Sequence, residues 1–344
     1  MYMTIRIFNV ALFVLLLSMP SIAEYISEEL FVLPWGEGQN QLGIAEPYEL
    51  DSEPDIGDTI VSFSWQPGGG PGLPMVDRDG NIYFISLVPP YFKGFRPDGQ
   101  AFLSNMETEP VIDSFVYYDT IIFADTLPGT DEVPREFYVD SIGQLYFIYL
   151  MVNFLEVRGR DGHFIDRIYP CPDTGHKKGH ICCFARHSGN RFSIVCSRTY
   201  TFRDGVFEPG GSGSWLAPDG YYYEVSEVDS AKQIYDLVRF NNPTIYGWPD
   251  SAETVLRFPP GQAGPLLALD DEMNFYFYVW PDSVTQTIHI YDIGFKFRES
   301  LTLLPQVENR YLWYIYDPFV NYDGSVYQFL CEDDGLHVVK WTKQ

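Results

Sequence analysis

The residue types most able to do chemistry crowd into one stretch. Cys171, His176, His180, Cys182, Cys183 and His187 fall within 17 residues, and Cys196 follows. Thiolates and imidazoles are zinc's ordinary ligands, and four of them can close a tetrahedral site. His176, His180, Cys182, Cys183 and His187 are therefore candidate metal ligands, although their spacing matches no finger or ribbon pattern. The same sulfurs can oxidise instead. Cys171, Cys182, Cys183 and Cys196 are candidate disulfide partners, which an exported chain favours, and their three complete pairings stay open. Cys331 sits in an apolar strand pattern and reads as a small buried hydrophobe.

The other histidines, His163, His289 and His337, lie in or beside outer-strand patterns such as Thr287 to Tyr291. Asp77, Asp79 and Asn81 bring three side-chain oxygens to one turn, but calcium takes about six to eight and no closing glutamate follows. Asp and Asn occupy tight turns for their own backbone reasons, so the turn reading is adopted. A calcium ion ringed by carboxylates on a central axis stays open. Gly210 to Ser214 is out of register for a nucleophile elbow, and no phosphate-cradling loop or haem motif occurs. No catalytic residue is assigned. Tyr221, Tyr222, Trp215 and Trp248 could stack on sugar rings or peptide, although packing between sheets also needs aromatics.

These residues sit on a repeating frame, and self-similarity decides architecture. Residues 73–87 read as a strand, a tight turn at Asp79, Gly80 and Asn81, and a second strand. Aligned on Gly80, copies recur at Gly143, Gly189, Gly220, Met273 and Gly324. Three residues further on stand Tyr83, Tyr146, Phe192, Tyr223, Tyr276 and Tyr327, aromatic in every copy. The spacings of 63, 46, 31, 53 and 51 mark the third unit as truncated. A second turn follows at Gly99, Gly162, Gly205 and Gly294, with Asn241 and Asn242 in the same place in the fourth unit. Two hairpins per unit make a four-stranded meander, with glycine supplying the positive φ that tight turns need.

The second strands, such as Phe275 to Trp280, are apolar on both faces and so are buried on both. Sheets stacked around an axis achieve this, whereas a two-layer sandwich leaves one face of each sheet wet. The expected fold is all-β, a β-propeller of six blades, each a four-stranded antiparallel meander, with five or seven as the neighbouring counts. An open ring would leave an exposed edge, which a strand from Glu29 to Leu33 or from Thr59 to Phe63 could cover beside Leu336 to Trp341.

The run Val76, Asp77, Asp79, Gly80, Asn81 and Tyr83, followed by a second Asp-Gly turn, resembles secreted bacterial six-bladed β-propellers of the NHL-like type. The resemblance covers most of residues 60–344, and Leu33 to Gly38 resembles the lead-in of such chains. It implies a binding scaffold or, less often, a lyase or lactonase. Lyase-type propellers place metal-binding histidines on inner strands facing the axis, which is not where His163, His289 and His337 fall.

The net charge of -25, from 47 acidic and 22 basic residues, repels nucleic acid and anionic lipid. Arg6, the apolar run Ile7 to Leu17 and the small residues Ser21 and Ala23 form a signal peptide over residues 1–23, too short for the roughly 20 residues a bilayer needs. A lead-in at 24–58 and a propeller domain at 59–344 follow. The chain is thus expected to be exported, periplasmic or extracellular, without stable membrane insertion. It is expected to act without a cofactor as a binding or scaffold module for a protein or carbohydrate ligand at one propeller face. The rivals are a metal-dependent lactonase or lyase-like enzyme with an axial site, and a structural component of the cell envelope.

Overall fold

The computed structural model describes residues 25–36, 38–42, 74–87, 90–104, 114–117, 120–123, 136–148, 154–168, 183–186, 192–195, 199–203, 206–209, 215–229, 232, 234–241, 252–260, 262, 264–279, 285–306 and 317–344. These form six four-stranded antiparallel sheets and one two-stranded hairpin. The first sheet runs Met75–Val76, Ile82–Leu87, Pro90–Phe95 and Ala101–Ser104; the second runs Glu136–Val139, Leu145–Ile148, Leu155–Arg158 and Phe164–Ile168. The third is Cys183–Arg186, Phe192–Val195, Thr199–Arg203 and Val206–Pro209; the fourth is Trp215–Leu216, Tyr222–Asp229, Ile234–Phe240 and Glu253–Arg257. The fifth is Leu266–Leu269, Phe275–Val279, Thr287–Tyr291 and Phe297–Thr302. In the sixth, Phe319–Val320, Val326–Glu332 and Gly335–Lys343 are joined by Tyr25–Pro34 from the other end of the chain.

One sequence expectation changes here. The third unit is compressed rather than truncated, since it keeps four strands joined by short connections. The long first spacing accommodates the hairpin of Ser114–Tyr117 with Thr120–Phe123.

The sheets pack face to face as a β-propeller. Leu145–Ile148 and Phe275–Val279 are buried at every position, as strands covered on both faces must be. Edge-to-face aromatic pairs fill the seams: Phe92 with Phe147 at 4.9 Å between the first and second sheets, and Phe258 with Phe277 at 4.8 Å between the fourth and fifth. Phe84 meets Phe329 at 6.1 Å between the first and sixth. Each such pair adds about 0.5–1.5 kcal/mol beyond the area it buries. A further apolar cluster, including Tyr276, Ile288, Val326 and Trp341, joins the fifth sheet to the sixth. The first strands of the second and third sheets approach one another, as do those of the first and second and of the fifth and sixth, so first strands line the axis.

In the first, second, fourth, fifth and sixth sheets the turn after the first strand closes by one rule; that of the third lies outside the described residues. In the first sheet the Gly80 amide donates to the Asp77 carbonyl and the Asp77 amide to the Asn81 carbonyl, both at 3.0 Å. This is a type I turn followed by a left-handed residue. Gly80, Gly143, Gly220 and Gly324 hold φ between 79° and 87° there. The fifth sheet keeps the geometry without glycine: Met273 has φ 64° in its first turn and Phe295 φ 57° in its second. Gly294 is therefore not the left-handed residue of that turn; the Phe295 amide closes onto the Asp292 carbonyl at 2.8 Å. Both side chains pack into one apolar cluster with Tyr223 and Phe275, which offsets the strain.

The ring is closed from the N-terminal side. Tyr25–Pro34 pairs with Gly335–Lys343 from Tyr25 opposite Lys343 to Pro34 opposite Gly335, with a bulge between Glu29 and Phe31. Leu33 and Leu42 are buried in the apolar cluster between the sixth and first sheets. Buried Lys93, on the first sheet, donates to the carbonyls of Gly38 at 2.9 Å and Gln41 at 2.5 Å. This part of the lead-in is thus built into the propeller; residues 59–63 lie outside the described residues.

Candidate functional site at the axial end of the tight turns

Three of the five described turns, those of the first, second and fifth sheets, begin with an aspartate that accepts several hydrogen bonds from its own turn. One oxygen of Asp270 accepts the amides of Glu272 and Asn274 at 3.0 and 2.8 Å. The other accepts Asn274 Nδ2 at 2.7 Å and the Tyr276 hydroxyl at 2.9 Å. Asp140 accepts the amides of Ile142 and Gln144 at 3.0 and 2.8 Å and the Tyr146 hydroxyl at 3.4 Å. Asp77 accepts the Asn81 amide and Asn81 Nδ2, each at 2.9 Å, and the Tyr83 hydroxyl at 3.0 Å. Arg160, from the second sheet, reaches Asp77 at 3.3 Å and Asp79 at 2.6 Å. Burial raises the Asp140 and Asp270 carboxyls above the usual carboxylate range, although these donors pull the other way.

The fourth sheet has Ala217 where the first, second and fifth have the aspartate, and Asp219 accepts the Tyr223 hydroxyl instead, at 2.7 Å. In the sixth, Asn321 Oδ1 accepts the Tyr322 amide at 2.8 Å and Nδ2 donates to the Asp77 carbonyl at 3.2 Å.

Contacts between sheets that are not neighbours locate the axis. Arg78 of the first sheet pairs with Asp271 of the fifth at 2.7 Å, although the sixth lies between them. Its guanidinium sits over the ring of Tyr322 from that intervening sheet, 5.2 Å from the centroid. The hydroxyls of Tyr138 and Tyr322, from the second and sixth sheets, lie 3.4 Å apart across the first. The Asp271 amide donates to the Tyr322 carbonyl at 2.9 Å. At this end of the axis the first, second, fifth and sixth sheets thus meet through two buried tyrosines and an exposed Arg-Asp pair. That arrangement offers a fork of donors and an adjacent acceptor to polar, uncharged groups such as sugar hydroxyls or peptide amides.

The sequence candidates separate accordingly. Tyr83, Tyr146, Tyr223, Tyr276 and Tyr327 are buried at 3% exposure or less, while Phe192 opens a strand of the third sheet and its side chain is not described. His176, His180, Cys182, His187, Cys171, Cys196 and Trp248 lie outside the described residues, as does the side chain of Cys183. Cys331 is half-buried against the core rather than enclosed, and burial pushes its thiol up to about 12.

Asp77 and Asn81 bond to each other, which is the turn role. Tyr222 stacks on Phe240, Tyr221 lies under Arg239, and Trp215 donates to the Leu266 carbonyl at 3.0 Å. These three aromatics serve packing. His163 lies in the second turn of the second sheet against Asp161, while His289 and His337 lie on third strands. Arg78, Tyr138, Asp271 and Tyr322 were missed. Their partners are distant in sequence, but the aspartate three residues before Gly80, Gly143 and Met273 was a legible signal.

No protein-family model and no curated sequence matches the chain. Solved structures align with it at low identity. A streptogramin B lyase aligns over 80% of this chain and 93% of its own, with 12% identity and a TM-score of 0.39. Regucalcin, a calcium-binding protein from Agrobacterium tumefaciens, aligns over 80% and 91%, with 12% identity and a TM-score of 0.40. A DUF4221 family member from Bacteroides vulgatus aligns over 94% and 99%, with 8% identity and a TM-score of 0.44.

Proposed function

We propose that the chain is an exported six-bladed β-propeller of the NHL-like type that binds a carbohydrate or protein ligand at one face, without catalysis of its own. Six four-stranded sheets support the count, with the Ser114–Tyr117 hairpin standing outside it. Export rests on residues 1–23. The charge of -25 favours neutral or basic ligands.

One observation carries the non-catalytic reading. A carboxylate has about four lone-pair sites, and the buried Asp270 fills all four, with two donors on each oxygen. A general base or a metal ligand needs a free oxygen. Asp271, the exposed carboxylate at the same end, is paired with Arg78.

The test is biolayer interferometry of the full mature chain against soluble neutral polysaccharides and cationic peptides, with a lactone panel assayed in parallel. Saturable binding to at least one probe, weakened about tenfold or more by Arg78→Ala, is expected without lactone turnover. Metal-dependent turnover, or no binding to any probe, would overturn the reading.

A further inference from the structure

We propose that the hairpin of Glu332, Asp334 and His337 binds a divalent transition-metal cation, with Zn2+ as the probe, and that the bound ion locks the strand that closes the ring. A two-residue loop, Asp333 and Asp334, joins the middle strands of the sixth sheet and sets Glu332 opposite Gly335. His337 pairs with Leu330, so Glu332 and His337 are diagonal neighbours on one face. Asp334 reaches the same point from the loop. The ligand atoms of these three residues lie within 4.8 Å of one another. His337 Nε2 is 2.9 Å from Asp334 Oδ1 and 3.8 Å from Glu332 Oε2.

The second ring nitrogen supplies an independent observation. His337 Nδ1 lies 2.8 Å from Glu29 Oε2, on the closing strand and 308 residues away in sequence. Metal-bound histidines characteristically give their other N–H to a carboxylate, which fixes the tautomer and aims the free lone pair at the ion. Here Glu29 accepts the hydrogen bond of Nδ1–H, and Nε2 faces the two carboxylates. Trp35 Nε1, also from the lead-in, donates to the Glu332 carbonyl at 2.8 Å and anchors that ligand's backbone.

Three carboxylates around one imidazole leave surplus negative charge. His337 is only 13% exposed, whereas Glu332 and Asp334 are exposed and leave room for water to complete the shell. One imidazole and two carboxylates suit zinc better than the all-oxygen shell of calcium. A bound ion would replace the hydrogen bond between His337 Nε2 and Asp334 Oδ1.

Isothermal titration of the full chain with ZnCl2 tests this by difference, because residues 171–187 carry soft ligands of their own. His337→Gln and the double variant Glu332→Gln/Asp334→Asn should each lose one equivalent relative to wild type. The double variant changes only exposed side chains, so the test survives if His337→Gln fails to fold. Glu29→Gln should keep the equivalent and weaken it about 10–100-fold. Equal zinc stoichiometry in wild type and both ligand variants would overturn the proposal, as would no uptake by wild type.

Discussion

Tyr276 donates its hydroxyl to Asp270, six residues earlier, at 2.9 Å, and both side chains are buried. The same step joins Tyr83 to Asp77 and Tyr146 to Asp140. One carboxylate oxygen folds the turn and the other anchors the following strand, so a surface loop and the core are fixed together. The next sheet seats on this pair: a Cβ at Gly324 would come within 2.5 Å of the Tyr276 hydroxyl and 3.0 Å of Asp270 Oδ2. Glycine at Gly324 is thus required by close approach as well as by φ.

Tyr276→Phe should therefore destabilise the protein by about 1.5–3 kcal/mol, since it strips a donor from a buried carboxylate. Tyr146→Phe should cost less, about 0.5–1.5 kcal/mol, because its bond is 3.4 Å long. Urea unfolding of the two variants beside wild type gives the order directly.

Met273 sets strain against packing. Its left-handed backbone costs roughly 1–2 kcal/mol relative to glycine, whereas truncating a buried methionine costs about 2–5 kcal/mol. Packing wins, so Met273→Gly should be net destabilising. Met273→Ala should be worse than Met273→Gly by about 1 kcal/mol, because it keeps the strain and loses the packing. Midpoint shifts in denaturant unfolding decide the ranking.

Local, periodic features were legible in the sequence: apolar second strands, an aromatic three residues past each turn, and the N-terminal run that pairs with the last strands. Features that depend on register or on distant partners were not. Gly294 attracted the alignment because it is glycine, but the turn is counted from Asp292 and makes Phe295 left-handed. Asp219 replaces the aspartate missing at Ala217 from a different turn position, which conceals the repeat there. Arg78 and Asp271 are 193 residues apart, and only closure of the ring brings them together.

Burial holds the pKa of His289 below its ordinary 6.5, and Nδ1 has no hydrogen-bond partner. Its cross-strand neighbours, Phe277 and Ser300, carry no charge. The unfolded chain therefore binds the proton more readily. Stability should fall as pH drops from 6.5 through the lower folded value. The raised carboxyls of Asp140 and Asp270 act oppositely, favouring the folded state as pH falls towards their range. The difference between wild type and His289→Phe isolates the histidine: thermal melts from pH 7.5 to 5 should show a shallower decline in the variant.

The Arg78–Asp271 pair is half exposed at both ends, so it should contribute little to stability, about 0–1 kcal/mol. Arg78→Ala should leave the melting temperature nearly unchanged while altering ligand capture. A double-mutant cycle with Asp271→Ala, read by thermal denaturation, checks the small coupling.

Closure of the ring by the N-terminal strand is tested most directly by hydrogen exchange of the full chain. Amides of Tyr25–Pro34 that bond to Gly335–Lys343 should exchange as slowly as those within Val326–Glu332. Exchange of Tyr25–Pro34 at the rate of an unpaired tail, with the sixth sheet otherwise protected, would contradict a closed propeller.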